Sequence, residues 1–151
     1  MAELSEVDAW LSALVENLQP AARKKMLREL AREVRCNQQA NIRLQRDPDG
    51  QSFIPRKVTA RSKKGRIKRQ MFSKLRMAKY LKATSDTSTA TVGFISQVQH
   101  TARVHHYGLR DRVRRNGPMA QYPARRLLGV NDSVETLTKD TLIRFINENK
   151  N

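Results

Sequence analysis

Three histidines, His100, His105 and His106, are the side chains of this chain best suited to chemistry, because imidazole can ligate a metal or move a proton near neutral pH. Their neighbours decide what they can do. A helical zinc site of the hydrolytic type needs histidines four apart around a glutamate; here the spacings are five and six, and no Glu occurs between Glu33 and Glu135. A His-Asn-His nuclease would suit a basic chain but needs a ligand downstream, and no histidine follows His106. No Gly-x-Ser-x-Gly elbow presents a serine to a histidine base, and Ser96 and Ser133 lie in ordinary contexts. A calcium loop aligned on Gly50 would place Gln45 at its first ligand position and Arg56 where its closing glutamate should fall. The reading that survives is packing: a helix end pinned by His105, His106 and Tyr107, with Gly108 reversing the chain. The expectation is a non-enzyme without metal or cofactor.

The charge points to large partners. A net charge of +16 over 151 residues is unevenly placed. Twelve Lys or Arg and no acid lie between Arg56 and Lys82, and seven arginines stand against Asp111 alone between Arg103 and Arg126. Such stretches build an electropositive face for nucleic acid or acidic protein. Hydrophobic residues at 38% and aromatics at 5% are lean for a self-sufficient core, so burial between subunits is expected. The lone Cys36 excludes an internal disulfide. The first nineteen residues carry acids and no Lys or Arg, unlike a signal peptide, and no apolar run reaches membrane-spanning length.

The elements that position these residues follow from periodicity and punctuation. Leu4, Val7, Leu11, Leu14 or Val15, and Leu18 predict a helix over 5–18, capped by Ser5. Pro20 opens a second helix reaching about Gln45, with Leu27, Leu30, Ala31, Val34 and Leu44 as its stripe. Its polar middle, CNQQANIR, suggests a helix crossing solvent or meeting another subunit. RDPDG is turn chemistry. A basic loop and a short helix within KRQMFSKLRMAKYL come next, followed by a hairpin over YLKATSDTSTATVGFI and a helix over SQVQHTARVHHY. Residues 109–121 read as a basic loop, and YPARRLLGV as an extended arm. The closing helix starts at Asn131 or Asp132 and buries Val134, Leu137, Leu142, Phe145 and Ile146. The sequence predicts an α+β fold: N-terminal helices, a small antiparallel sheet with a packed helix, and a C-terminal helix. One domain is expected over 1–151: helical over 1–46, turn and basic loop over 47–70, and an α+β core over 71–151 carrying an assembly arm at 108–130.

The order DPDGQSFIPRK, KKGRIKRQMFSKL, RVHHYGL and YPARRLLG before a terminal helix resembles the tail-completion, or virion morphogenesis, family of contractile-tailed phages. By position the likeness picks out Pro48, Asp49, Gly50, Phe53 and Pro55; Gly65, Lys68, Met71, Phe72 and Leu75; His105, Tyr107 and Gly108; and Pro123, Ala124, Arg125, Leu127, Leu128 and Gly129. Arg126 departs from it, standing where the family pattern often has proline. The resemblance implies a structural protein that completes the tail and prepares the tail-to-head junction at the neck, as a homo-oligomeric ring, with a hexamer among the candidate sizes. It implies tail tube or tail terminator proteins and head-neck proteins as partners, DNA against the basic face as a further candidate, and no membrane. The place of action would be the virion tail or neck, after assembly in the host cytoplasm. Phe53, Arg61, Lys63, Lys64, Arg66, His105, Tyr107, Gly108, Pro123, Arg125, Leu127 and Leu128 are the expected interface residues. RSKKGRIKR is expected to order on assembly, since seven of its nine residues are Lys, Arg or Gly. The rival reading is a free basic nucleic-acid-binding protein, against which stands the scarcity of aromatics for base stacking.

Overall fold

A computed structural model describes residues 2–57 and 70–149. Arg61, Lys63, Lys64 and Arg66, with the expected ordering of their segment, lie outside the described residues. The described part is α+β, with helices α1 (Ala2–Glu16), α2 (Pro20–Arg43), α3 (Ser96–Tyr107) and α4 (Asp132–Glu148). Strands β1 (Leu81–Ser85) and β2 (Ala90–Phe94) pair in one two-stranded sheet, and β3 (Arg110–Arg112) and β4 (Met119–Gln121) in another. Two compact units result: residues Met1–Arg35, Ala83–Val92 and Asp132–Asn151 form one, and Cys36–Lys82 with Gly93–Asn131 the other. The division runs through α2 and through the first hairpin.

In the first unit α1 packs on α4. Leu11 is the buried residue of α1, whereas Val7, expected inside, is 45% exposed and Trp10 is 58% exposed. On α4 the buried positions are Val134, Thr141, Phe145 and Ile146. Leu137 and Leu142 are only half-buried because Thr141 takes the inward position between them. That position suits a hydroxyl with a partner: Thr141 Oγ1 donates to the Glu33 carboxylate at 2.8 Å. Arg144 reaches Glu29 at 3.3 Å and Glu33 at 3.5 Å, exposed pairs of small energetic weight. At the hairpin tip the Asp86 carboxylate accepts from the Ser88 and Thr89 amides, each at 2.7 Å. Those bonds hold its pKa below the usual carboxylate range.

The second unit is built around Ile42, Phe53, Leu75, Ala102 and Leu127, with Met71, Phe72, Phe94, Val98 and Leu128 packed against them. The inward stripe of α2 keeps Leu30 and Ala31 of the expected one, while Met26, Gln38 and Ile42 join it and Leu44 leaves it. Met26, Leu30, Gln38 and Ile42 are buried at multiples of four residues, and Leu44 is 56% exposed. The helix ends in a Schellman arrangement: Arg46 N–H donates to Asn41 O at 3.0 Å and Gln45 N–H to Ile42 O at 2.9 Å, with Gln45 left-handed at φ 58°. A turn follows, closed by Gly50 N–H to Asp47 O at 3.0 Å and Gln51 N–H to the Asp47 carboxylate at 2.9 Å.

Two further expectations are corrected. Residues 71–80 are a chain of turns, not a helix, because Phe72 takes φ 63° to aim its ring into the core. Residues 109–121 are a β-ribbon, not a loop: Arg110, Asp111 and Arg112 pair with Gln121, Ala120 and Met119. Gly117 N–H to Arg114 O at 2.8 Å closes its tip. The end of α3 follows the sequence reading, with Gly108 left-handed at φ 67° and its N–H on Val104 O.

Phe145 is 3% exposed, so Phe145→Ala should lower the unfolding free energy of the full chain by about 3–5 kcal/mol, read as a fall in urea midpoint at constant slope.

Candidate functional site

The segments that stand out in the sequence meet in the second unit. The convergence point is the arm over residues 122–131, which has no strand beside it. Its burial alternates: Arg125 is 7% and Leu127 0% exposed, while Arg126 is exposed. That is the pattern of an extended strand with one face inward, and its backbone must find partners elsewhere.

The partners come from the end of α3 and from α2. The Arg125 amide donates to His105 O at 2.8 Å. The Leu127 amide donates to His106 Nδ1 at 3.2 Å. Gln38 then takes both polar groups of Gly129: its Oε1 accepts from Gly129 N–H at 3.0 Å and its Nε2 donates to Gly129 O at 3.1 Å. One amide side chain thereby does what a neighbouring strand residue would do in a hydrogen-bonded antiparallel pair. Gln45 treats the chain before the turns alike, accepting from Met71 N–H at 2.8 Å and donating to Met71 O at 2.9 Å. Gln39 adds a bond to Arg76 O at 2.8 Å. The polar middle of α2, read from sequence as a solvent or subunit crossing, supplies Gln38 and Gln39 to this internal network.

Arg125 holds the segment after the turn. Its Nε donates to Ile54 O at 2.7 Å and its Nη2 to Pro55 O at 3.1 Å. Only a fork of fixed donors reaches two successive carbonyls in this way. Arg126, outside, pairs with Asp49 at 2.7 Å. Asn131 donates to Pro48 O. Two glycines allow backbone to touch backbone or ring: a Cβ on Gly108 would stand 2.7 Å from Ala124 N, and one on Gly129 would stand 2.9 Å from Pro48 Cγ.

The histidines have three different settings. His105 sits in an aromatic series, 5.2 Å from Phe72 and 4.9 Å from Tyr122 by ring centres, with Phe53 5.6 Å beyond Phe72. Burial first, then the charges of Arg125 and Arg56, push its pKa below the ordinary histidine value. Burial and then Arg126 do the same to His106. His100 lies apart, paired with Asp111 at 3.0 Å. Among the described residues no group of three or more His, Cys, Asp or Glu could hold a metal ion.

Of the expected interface residues, the structure holds Phe53, His105, Tyr107, Gly108, Pro123, Arg125, Leu127 and Leu128 in this one unit, with Tyr107 65% exposed on its surface. Leu127 and Arg125 lie in the subunit's own interior, so neither projects as a free anchor in the folded chain; the inward face of the extended segment requires it. Sequence reasoning missed Gln38 and Gln45. The signal available was the four-residue spacing Met26, Leu30, Val34, Gln38, Ile42, which puts Gln38 on the apolar stripe.

The side chains of Gln38, Gln45, Arg125 and His106 in this arrangement hold the protein's own backbone. The chain belongs to the phage virion morphogenesis family, whose model matches residues 2–147. It is similar to tail completion protein S of Escherichia phage P2, at 36% identity over 131 residues, covering 85% of this chain and 87% of that protein. No solved structure matches it. No helix among the described residues is long and apolar enough to cross a membrane.

Gln38→Leu keeps the bulk but strands the N–H and C=O of Gly129. At about 1–3 kcal/mol for each buried group left unpaired, this single exchange should lower the urea midpoint clearly. Stability should also fall on acidification. With the folded pKa of both His105 and His106 below the ordinary value, stability is fully present above about pH 6.5 and is lost as pH falls through the depressed values. Denaturation midpoints between pH 7.5 and 5 check this, and the double variant H105F/H106N should flatten the curve.

Proposed function

We propose that this chain is a non-enzymatic virion protein that completes the phage tail and prepares its junction with the head, acting at the neck as a homo-oligomeric ring. The observation that carries the reading is the similarity to tail completion protein S over 85% of this chain, beside a family model that matches residues 2–147 and so runs through both units. The geometry supports it in kind. The arm, the Gln38 and Gln45 clasps and the αL glycine at residue 108 fix the path of the second unit's chain, as a subunit needs if it is to repeat identically around an axis. The two imidazoles at its centre are engaged in packing and in holding the Leu127 amide.

The outside of the chain matches such a role. Large apolar side chains remain exposed in both units, among them Trp10, Tyr107, Val113, Met119 and Val130. Neighbouring subunits or partners in an assembly would cover them. The tail tube or a tail terminator on one side, and head-neck proteins on the other, are the partners of such a subunit. The basic stretches would face acidic surfaces of those partners or DNA passing through the neck.

Electron microscopy of lysates from a phage deprived of this chain tests the proposal. The expected picture is DNA-filled heads accumulating beside tails that stay unjoined, restored when the chain is supplied from a plasmid. Normal particles in its absence would overturn it.

A further inference from the structure

The acidic, aromatic face of α1 and the outward face of the basic ribbon β3–β4 are both exposed, and their chemistries match. On α1, Glu6, Trp10 and Ala13 recur at helical spacing on the side opposite buried Leu11, and all three are exposed. Trp10 is 58% exposed, a large apolar surface to leave in water. The first twenty-two residues hold Glu3, Glu6, Asp8 and Glu16 and no Lys or Arg.

The ribbon carries the opposite sign. Its register makes Arg112 face with Met119 and Arg110 with Gln121, and all four are exposed. The other face holds Asp111, whose carboxylate is taken by His100 of α3. The outward face thus presents the Arg110 guanidinium and the Met119 thioether, beside Arg112, whose Nη1 donates to Gly117 O at 3.2 Å, and Gln121, whose Nε2 donates to Gly108 O at 2.6 Å. Among the described residues Arg110 has no ion-pair partner. Guanidinium and methionine sulfur are favoured neighbours of an indole ring, and a carboxylate one helical turn from that ring suits the same arginines.

We propose that the α1 face of one subunit docks on the outward face of the β3–β4 ribbon of a second copy, with Trp10 against Met119 and the Arg110 and Arg112 guanidinium groups, and Glu6 paired to an arginine of the ribbon. The contact is heterologous, one patch meeting a different one, which is the kind that propagates into rings. The inference rests on the ring reading above and names its interface.

Mass photometry and native mass spectrometry of the full chain test it. The wild type should form a closed oligomer, and W10S and R110E should each weaken association about 30-fold or more while keeping the wild-type melting temperature. Mixing the two variants should give one-to-one dimers and nothing larger, because W10S still offers a sound ribbon and R110E a sound α1 face. The charge exchange E6R with R110E in one chain should recover assembly in part. Variants that assemble like the wild type would overturn this interface while leaving the ring intact; a wild-type chain monomeric at every concentration would remove the ring and the interface together. Loss of binding to a duplex oligonucleotide in R110E, with oligomer unchanged, would assign the ribbon to nucleic acid and overturn the docking.

Discussion

An extended segment buried without a neighbouring strand is the constraint on which the second unit depends. Every inward N–H and C=O of the arm costs free energy unless paired, and no sheet is there to pair them. The chain answers with side chains and helix ends: Gln38 for Gly129, His106 for Leu127, the carbonyl of His105 for Arg125. Glutamine suits the first task because its amide offers a donor and an acceptor side by side on a stem long enough to leave α2. Once those bonds are made, Leu127 has one place to go, among Ile42, Phe53, Leu75 and Ala102.

The basic residues then divide by what surrounds them. Arg125 is drawn inside because two carbonyls, of Ile54 and Pro55, await its fork. Arg126, next in sequence, points outward to Asp49. A run of like charges is therefore no single surface feature. An arginine rather than a proline at residue 126 costs the arm little stiffness, since hydrogen bonds on either side of that residue already fix its path.

Much of the local structure was legible. Pro20 starts α2, Gly108 ends α3 in the left-handed conformation, and Asp47 to Gly50 make a turn, because these residues act on their own backbone and need no distant partner. What failed depended on tertiary contact. Phe72 carries no local sign of a positive φ; the pull of its ring towards Phe53 and His105 sets it. The ribbon was hidden because Arg110 and Arg112 alternate with Asp111, leaving no apolar face to reveal a strand. The stripe of α2 was misread where a glutamine holds an inward position, since polarity alone says outside. Thr141 hid the register of α4 by the same means. The meeting of the arm with the turn and with the end of α3 was foreshadowed only by family resemblance, which names segments without saying that they touch.

The spacing of the Gln38 clasp has a consequence for synthesis on the ribosome. Its two halves are 91 residues apart in sequence, and Arg125 lies 71 residues from the carbonyl of Ile54. A nascent chain that has released α2 and the turn holds a core with an empty place for Leu127, and polar amides on α2 with nothing to bind. Neither unit can close until the arm and α4 have emerged, because the second awaits Leu127 and the first awaits α4. Closure therefore waits on segments far along the chain from their partners, and the long loops that must be drawn in make it slow.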